Sequence, residues 1–286
     1  MMRARSNRHS LIRHLLICDL LICPQESRVI FTHALVRPPG DSFAAAISST
    51  HAAIDVALAR VQHAAYCQAL AAAGLIVEAL PPDERFPDSC FMQDPAVVIG
   101  GRDATARRAI IGRPGAPSRQ GEEDALAAAL TGRFPLTRLI PPATLEGGDV
   151  LILPDRVVVG RSGRTNAAGI AQLAVVLAET GLPVYAAPVE SYLHLLTAVT
   201  HIGQGVLLAI EGWPLPPPLA DLDVVRVPPE EAYAANSLGI GEHVIVPAGH
   251  PRTETMLRAH GFDILSVPMS EFAKADGGVT CLSLVW

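Results

Sequence analysis

Cysteine is scarce in this 286-residue chain and shows no pairing pattern, which excludes a small disulfide-stapled fold. Cys18, Cys23, Cys67, Cys90 and Cys281 are odd in number and scattered, so a reducing compartment, the cytoplasm, is expected. Cys18 and Cys23 have no second ligand pair nearby and do not read as a zinc site. Cys67, in an Ala-rich helical pattern, reads as a small buried hydrophobe. A basic surface is lacking too. The formal charge is −6 and, beyond a few arginines at the extreme N-terminus, positive residues form no stripe. That argues against a nucleic-acid partner and suits a small cationic molecule. No G-x-G-x-x-G follows a first strand and no phosphate-cradling loop is present, so nucleotide-binding sheets are disfavoured. Long apolar runs are missing as well. Residues 15–22 are interrupted by Asp19, precede no A-x-A cleavage site, and fall short of the roughly 20 residues of a membrane span. Residues 1–30 read as a dispensable extension, with one catalytic domain expected over residues 31–286.

What the chain does contain is a degenerate repeat. Residues 109–113 (AIIGR) lead through Arg119 into a helical pattern over 121–130. Residues 157–161 (VVVGR) lead through Arg164 into a helix over 167–178, and residues 243–246 (HVIV) lead through Arg252 into a helix over 253–260. Each copy is a β-branched strand, a Gly- or Pro-containing turn, a basic residue and a helix. Strands at 31–36 and 205–210 match less well and complete five units. Such a period predicts a closed, pseudo-symmetric α/β ring.

Five strings carry chemistry: FPDSCFMQD (86–94), LEGGD (145–149), RTN (164–166), HLLT (194–197) and DGGVTCLS (276–283). Cys281 lies just beyond a glycine pair that lets backbone approach a ligand; alone, it reads equally as a buried cysteine in a terminal strand. His194 becomes a proton shuttle only in partnership with such a thiol. Glu146, beside a glycine pair, reads either as a solvated turn acid or as a ligand-gripping one. Asp88 and Asp94 sit in an aromatic, apolar segment where buried carboxylates need a cation or hydrogen bonds. A guanidinium meets that need, because carboxylates accept its paired N–H groups in one plane. Arg119 and Arg164 occupy corresponding places in the repeat, as helix-flanking charges or as forks for a carboxylate.

Together with SGRTN, EEAYAAN (230–236) and PAGHPRT (247–253), these strings appear in the order of a known family. The chain resembles the dimethylarginine dimethylaminohydrolases, within the guanidino-group-modifying (pentein) superfamily, from about residue 31 to the end. The resemblance implies a five-bladed α/β-propeller of ββαβ modules with a small cationic amino acid in the central channel. It implies Cys281 as nucleophile and His194 as general acid/base. Asp94 and Glu146 would hold the guanidinium, Asp88 the α-amino group, and Arg119 and Arg164 the α-carboxylate. Ile47 falls on a lid residue and Ala275 on a backbone contact. The implied activity is hydrolysis of methylated arginine to citrulline, with no metal or organic cofactor. Arginine deiminase-like hydrolysis and a non-catalytic binding propeller are the alternatives, and a homodimer is left open. Two positions depart from the pattern: Gln93 stands where the family shows Glu, so Gln93 is a candidate for altering substrate choice. Leu196 replaces the charged residue of HLKT.

Overall fold

Short β-branched runs bounded by Gly, Pro or Asp favour short strands, because those residues end a strand as reliably as Val and Ile propagate it. The computed structural model of the chain describes residues 31–99 and 107–286. The extension expected over residues 1–30, with Cys18 and Cys23, lies outside the described residues.

Five three-stranded sheets form. In the first, β1 (His33–Val36) connects through α1 (Val56–Ala72) to β2 (Ile76–Ala79). The second holds β3 (Ala96–Ile99), β4 (Arg108–Ile111), α2 (Glu122–Leu130) and β5 (Leu136–Arg138). The third holds β6 (Val150–Ile152), β7 (Val157–Arg161), α3 (Ala167–Leu177) and β8 (Val184–Pro188). In the fourth, a single turn α4 (Leu195–Ala198) runs into β9 (Val199–His201), β10 (Val206–Ile210) and β11 (Asp223–Val227). The fifth comprises β12 (Leu238–Ile240), β13 (His243–Pro247), α5 (Pro251–Ala259) and β14 (Asp263–Val267). After α6 (Ser270–Ala273), β15 (Ser283–Val285) returns to pair antiparallel with β1, setting Ala34 opposite Val285. The C-terminus thereby supplies the first sheet's missing strand and closes the ring.

Each middle strand is antiparallel to the inner strand and parallel to the outer one, which defines a ββαβ module. The expected strands and helices are all present with small shifts; α5, for example, begins at Pro251, where proline suits the first helical turn. The fourth module departs from the repeat. A 3₁₀ turn over Pro217–Leu219 takes the helix's place between β10 and β11, since a Pro-rich segment cannot supply helical N–H donors.

The inner strands β3, β6, β9, β12 and β15 surround the axis: β15 touches β3, and β9 touches both β6 and β12. All five run away from the same end. The turns before them therefore converge, and those turns carry Asp94, Glu146, His194, Asn236 and Cys281.

Candidate active site

His194 Nε2 lies 2.7 Å from Glu146 Oε2. The other oxygen of Glu146 accepts from the backbone N–H of Gly115 at 2.9 Å and from Arg164 Nη1 at 3.4 Å. Asp94 accepts from Arg119 Nη1 at 2.6 Å through one oxygen and from the Gly148 N–H at 3.2 Å through the other. Cys281 sits in a 3₁₀ turn, Thr280–Leu282, and its sulfur accepts from the Gly278 N–H at 3.3 Å. The two glycine pairs have a steric reason. A Cβ on Gly148 would stand 2.6 Å from His194 Nδ1, and one on Gly278 would stand 2.3 Å from Asn236 Oδ1.

The electrostatics follow from burial. Burial alone would raise Glu146, but the His194 hydrogen bond and the neighbouring positive charges hold it down at about 2. Burial pulls His194 down, and Asp94, Glu146 and Asp149 together outweigh it, so the imidazolium is favoured. Burial and then the Asp94 charge push the Cys281 thiol up to about 12, so the resting sulfur keeps its proton. Donor atoms of Asp94, Glu146 and His194 lie within 4.8 Å of one another. With guanidinium groups at 2.6 and 3.4 Å from their carboxylates, that cluster is already neutralised and reads as proton-transfer machinery rather than a metal cage.

Asp88, Asp94, Arg119, Arg164, His194, Ile47, Ala275 and Cys281 all line one pocket, while Glu146 lies buried behind His194. The pocket leaves only about 30 Å³, room for about one water. The segment around Ile47 closes it. The Ile47 N–H donates to both oxygens of Asp88 at 3.2 and 3.4 Å, Ser48 Oγ donates to the Lys274 carbonyl at 2.5 Å, and Ser49 donates twice to Asp276 at 2.6 and 2.7 Å. Two expected residues stand differently from the others. Arg119 is buried with its fork spent on Asp94 and Glu122, leaving Arg164 as the partly open guanidinium. Gln93 is not among the residues lining this pocket; it faces the other end of the channel.

Several supporting residues carried no individual signal in the sequence. Asp149 anchors the His194 turn, accepting from Leu195 N at 2.9 Å and from Ser162 Oγ at 2.6 Å. In RTN, Arg164 reaches Glu146, Thr165 Oγ1 accepts the Glu146 N–H at 3.1 Å, and Asn166 caps α3 through the Gly169 N–H at 2.8 Å. In EEAYAAN, Glu231 accepts the Thr253 N–H at the start of α5 at 2.7 Å, and the Tyr233 hydroxyl donates to the Gly277 carbonyl at 2.6 Å. Asn236 accepts the Thr280 N–H at 2.9 Å and donates to the Leu196 carbonyl at 2.9 Å, joining the thiol turn to the histidine turn.

Comparison with known proteins places this arrangement. A family model described as arginine deiminase matches residues 86–207. The N(G),N(G)-dimethylarginine dimethylaminohydrolase of Streptomyces coelicolor is 36% identical over 260 residues, covering 88% of this chain and 95% of that protein. A crystal structure of the Pseudomonas aeruginosa enzyme, a cysteine-to-serine variant complexed with citrulline, superposes with a TM-score of 0.85 at 37% identity, over 90% of this chain and 100% of that one. A histidine-to-glycine variant of dimethylarginine dimethylaminohydrolase, an adduct with S-methyl-L-thiocitrulline, matches with the same TM-score of 0.85, identity of 37% and coverage of 90% and 100%. The Pseudomonas aeruginosa dimethylaminohydrolase sequence is 38% identical over 258 residues, covering 89% of this chain and 99% of that protein. At that identity and coverage, the chain belongs to the dimethylarginine dimethylaminohydrolase family.

Proposed function

We propose that this protein hydrolyses Nω-methylated arginine to citrulline and methylamine or dimethylamine through a covalent intermediate on Cys281. The observation that carries the reading is the His194–Glu146 pair at 2.7 Å, opening on the same closed pocket as the Cys281 thiol and the Asp94 carboxylate. The citrulline complex and the thiocitrulline adduct of the relatives support it.

The steps follow from charge. Asp94 receives the substrate guanidinium, the Glu146 carboxylate behind His194 adds negative charge there, and together they set its central carbon against Sγ. A cation beside the sulfur offsets the burial that keeps the thiol protonated, so binding itself promotes the thiolate, with the thiol proton released to solvent. Sγ attacks the central carbon, and His194, held as the imidazolium by surrounding carboxylates, gives its proton to the departing amine. A thiouronium remains on the sulfur. His194, now neutral, takes a proton from water, which adds to the same carbon; the C–S bond breaks and releases citrulline with the thiolate. Arg164 takes the α-carboxylate and Asp88 the α-amino group, while closure around Ile47 keeps bulk water out.

Mass spectrometry of enzyme quenched during turnover with asymmetric dimethylarginine tests the reading. An adduct on the Cys281 peptide is expected, together with dimethylamine release and complete loss of both in Cys281→Ala. Undiminished turnover in Cys281→Ala excludes thiol catalysis. Ammonia from arginine in place of dimethylamine assigns the site to arginine deimination.

A further inference from the structure

Opposite the catalytic pocket, the channel widens into a second cavity of about 360 Å³, a volume at the lower end of small-molecule sites, roughly 300–1,000 Å³. Every blade's inner strand contributes to its wall, with Val98, Val150, Ile152, Thr200, Leu238 and Leu284 among the lining side chains. Its floor carries no charge: the Thr280 hydroxyl donates to Gln93 Oε1 at 2.8 Å, and Leu196 lies with them in the lining. The charged groups of the lining stand away from this floor as one arginine shared by two exposed carboxylates, Arg156 with Asp155 at 2.9 Å and with Asp221 at 2.5 Å. His201 is neutral because burial holds it down at about 4, and its Nε2 is buried without a hydrogen-bond partner among the described residues.

Gln93 and Leu196 come from different blades and meet in this one cavity, and neither brings a charge to it.

We propose that this cavity binds an uncharged, mainly apolar small molecule whose hydrogen-bonding group meets Gln93 and Thr280 from the face opposite the active site. The occupant acts on the catalytic end through its floor. Gln93 adjoins Asp94 and Thr280 adjoins Cys281 in the chain, while Asn236 ties Thr280 N to the Leu196 carbonyl, each at 2.9 Å. A ligand that competes for the Thr280 hydroxyl therefore shifts the turn presenting the thiol. The binding itself does not depend on the reaction assigned to the other end.

Titration of the full chain by ligand-observed NMR, with benzyl alcohol as probe and benzoate and benzylamine as charged counterparts of the same ring, tests the site. Benzyl alcohol is expected to bind saturably and at least about tenfold more tightly than either ion, because neither charge finds a partner on this floor. Ile152→Trp, which fills the mouth with an indole, is expected to weaken it by about tenfold or more. Equal affinity for all three probes, or undiminished binding in a folded Ile152→Trp chain, overturns the proposal. Should that variant not fold, crystals of the unaltered chain soaked in 4-bromobenzyl alcohol decide: a bromine peak inside the cavity on its mouth side, with the hydroxyl on Gln93 and Thr280, supports the site, and no bromine in the cavity overturns it. For the coupling, the iodoacetamide alkylation rate of the Cys281 peptide should change about fivefold at saturating benzyl alcohol. An unchanged rate overturns the coupling.

Discussion

The two ends of the channel are built by the same five strands, yet they share almost no chemistry. At the catalytic end Asp88, Asp94, Glu146 and Asp149 are all buried, and each meets N–H or O–H donors of its surroundings. At the far end the walls are aliphatic and about 360 Å³ is open, against about 30 Å³ beside Cys281. The difference lies in where along a module each side chain stands. The turns at the catalytic end, ahead of the inner strands at Gly148 and Gly278 and after β4 at Gly115, have backbone N–H groups to spare, and these can hold carboxylates and a sulfur. Strand residues spend their backbone on the ladder and have only side-chain volume to offer. One end is therefore sensitive to single charges and the other to shape.

The largest expected effect breaks that contrast at its charged end. Glu146→Gln keeps the shape and removes the charge that His194 faces, so turnover should fall by roughly 10²–10⁴. Leaving an imidazolium buried without its partner should also cost about 3 kcal/mol of stability. The sign with pH is fixed by two shifts. Glu146, depressed to about 2, contributes stability above its unfolded value of roughly 4.3, and this is lost as pH falls through about 2. His194, raised, contributes fully below roughly 6.5, and that part is lost as pH climbs through its elevated folded value. The stability gap between the two chains should be widest near pH 5–6.5, by denaturant titration, and should narrow on both sides. A gap that stays level above that window would mean His194 is neutral in the folded protein. The matching change at the other end is Leu153→Ala, a buried residue of the cavity wall. It should cost about 2–5 kcal/mol and leave turnover unchanged. Comparable loss of turnover in both variants would dissolve the distinction.

How much of this was legible beforehand also divides along the channel. The repeat was readable because each module restates a local pattern: β-branched strand, turn, basic residue, helix. Pairing of Ala34 with Val285 was not, since ring closure joins the chain's two ends and no local pattern encodes it. Asp94 stood out because a buried carboxylate demands partners, whereas Cys281, His194 and Glu146 were ambiguous singly and were picked out by the order of the strings that carry them. Glu122 did not, for an acid in a helix's first turn ordinarily reads as a complement to the helix dipole, yet here it takes half of Arg119. Asn236 had no signal of its own either, since Asn ahead of a strand is ordinary turn chemistry. Gln93 was a candidate for altering substrate choice because of the residue it replaces, yet it lines the other cavity, since adjacent side chains such as Gln93 and Asp94 leave the backbone in different directions.

Asn236 sharpens the comparison at the plane where the two ends meet. It stands in the converging turn ahead of β12, and its amide spans from Thr280 N to the Leu196 carbonyl. Asn236→Ala should lower kcat by about tenfold through misplacement of the thiol, with KM nearly unchanged. A residue with only a structural role would lower Tm and leave kcat intact well below it, so the split between the two constants decides. Slower alkylation of Cys281 in the variant is the second readout.

The smallest expected effect concerns closure. Asp276 has φ of 55°, a left-handed conformation that Asn also tolerates, so Asp276→Asn removes an acceptor oxygen with little backbone strain. Of the two bonds from Ser49, one survives. Because Ser49 is exposed, the loss should be about 0.5–1.5 kcal/mol in the closing equilibrium. KM should then rise a few-fold, since closure that traps the substrate is less favourable, while the chemical step is untouched. Hydrogen exchange at Ile47 and Ser49 should quicken by a similar factor, with the amides of α1 as an unchanged internal reference. Exchange that stays as slow as before would mean that Asp88 and the Lys274 carbonyl alone hold the segment shut. Closure would then depend on a carboxylate that the substrate's α-amino group also needs, and each binding event would have to loosen the lid before tightening it.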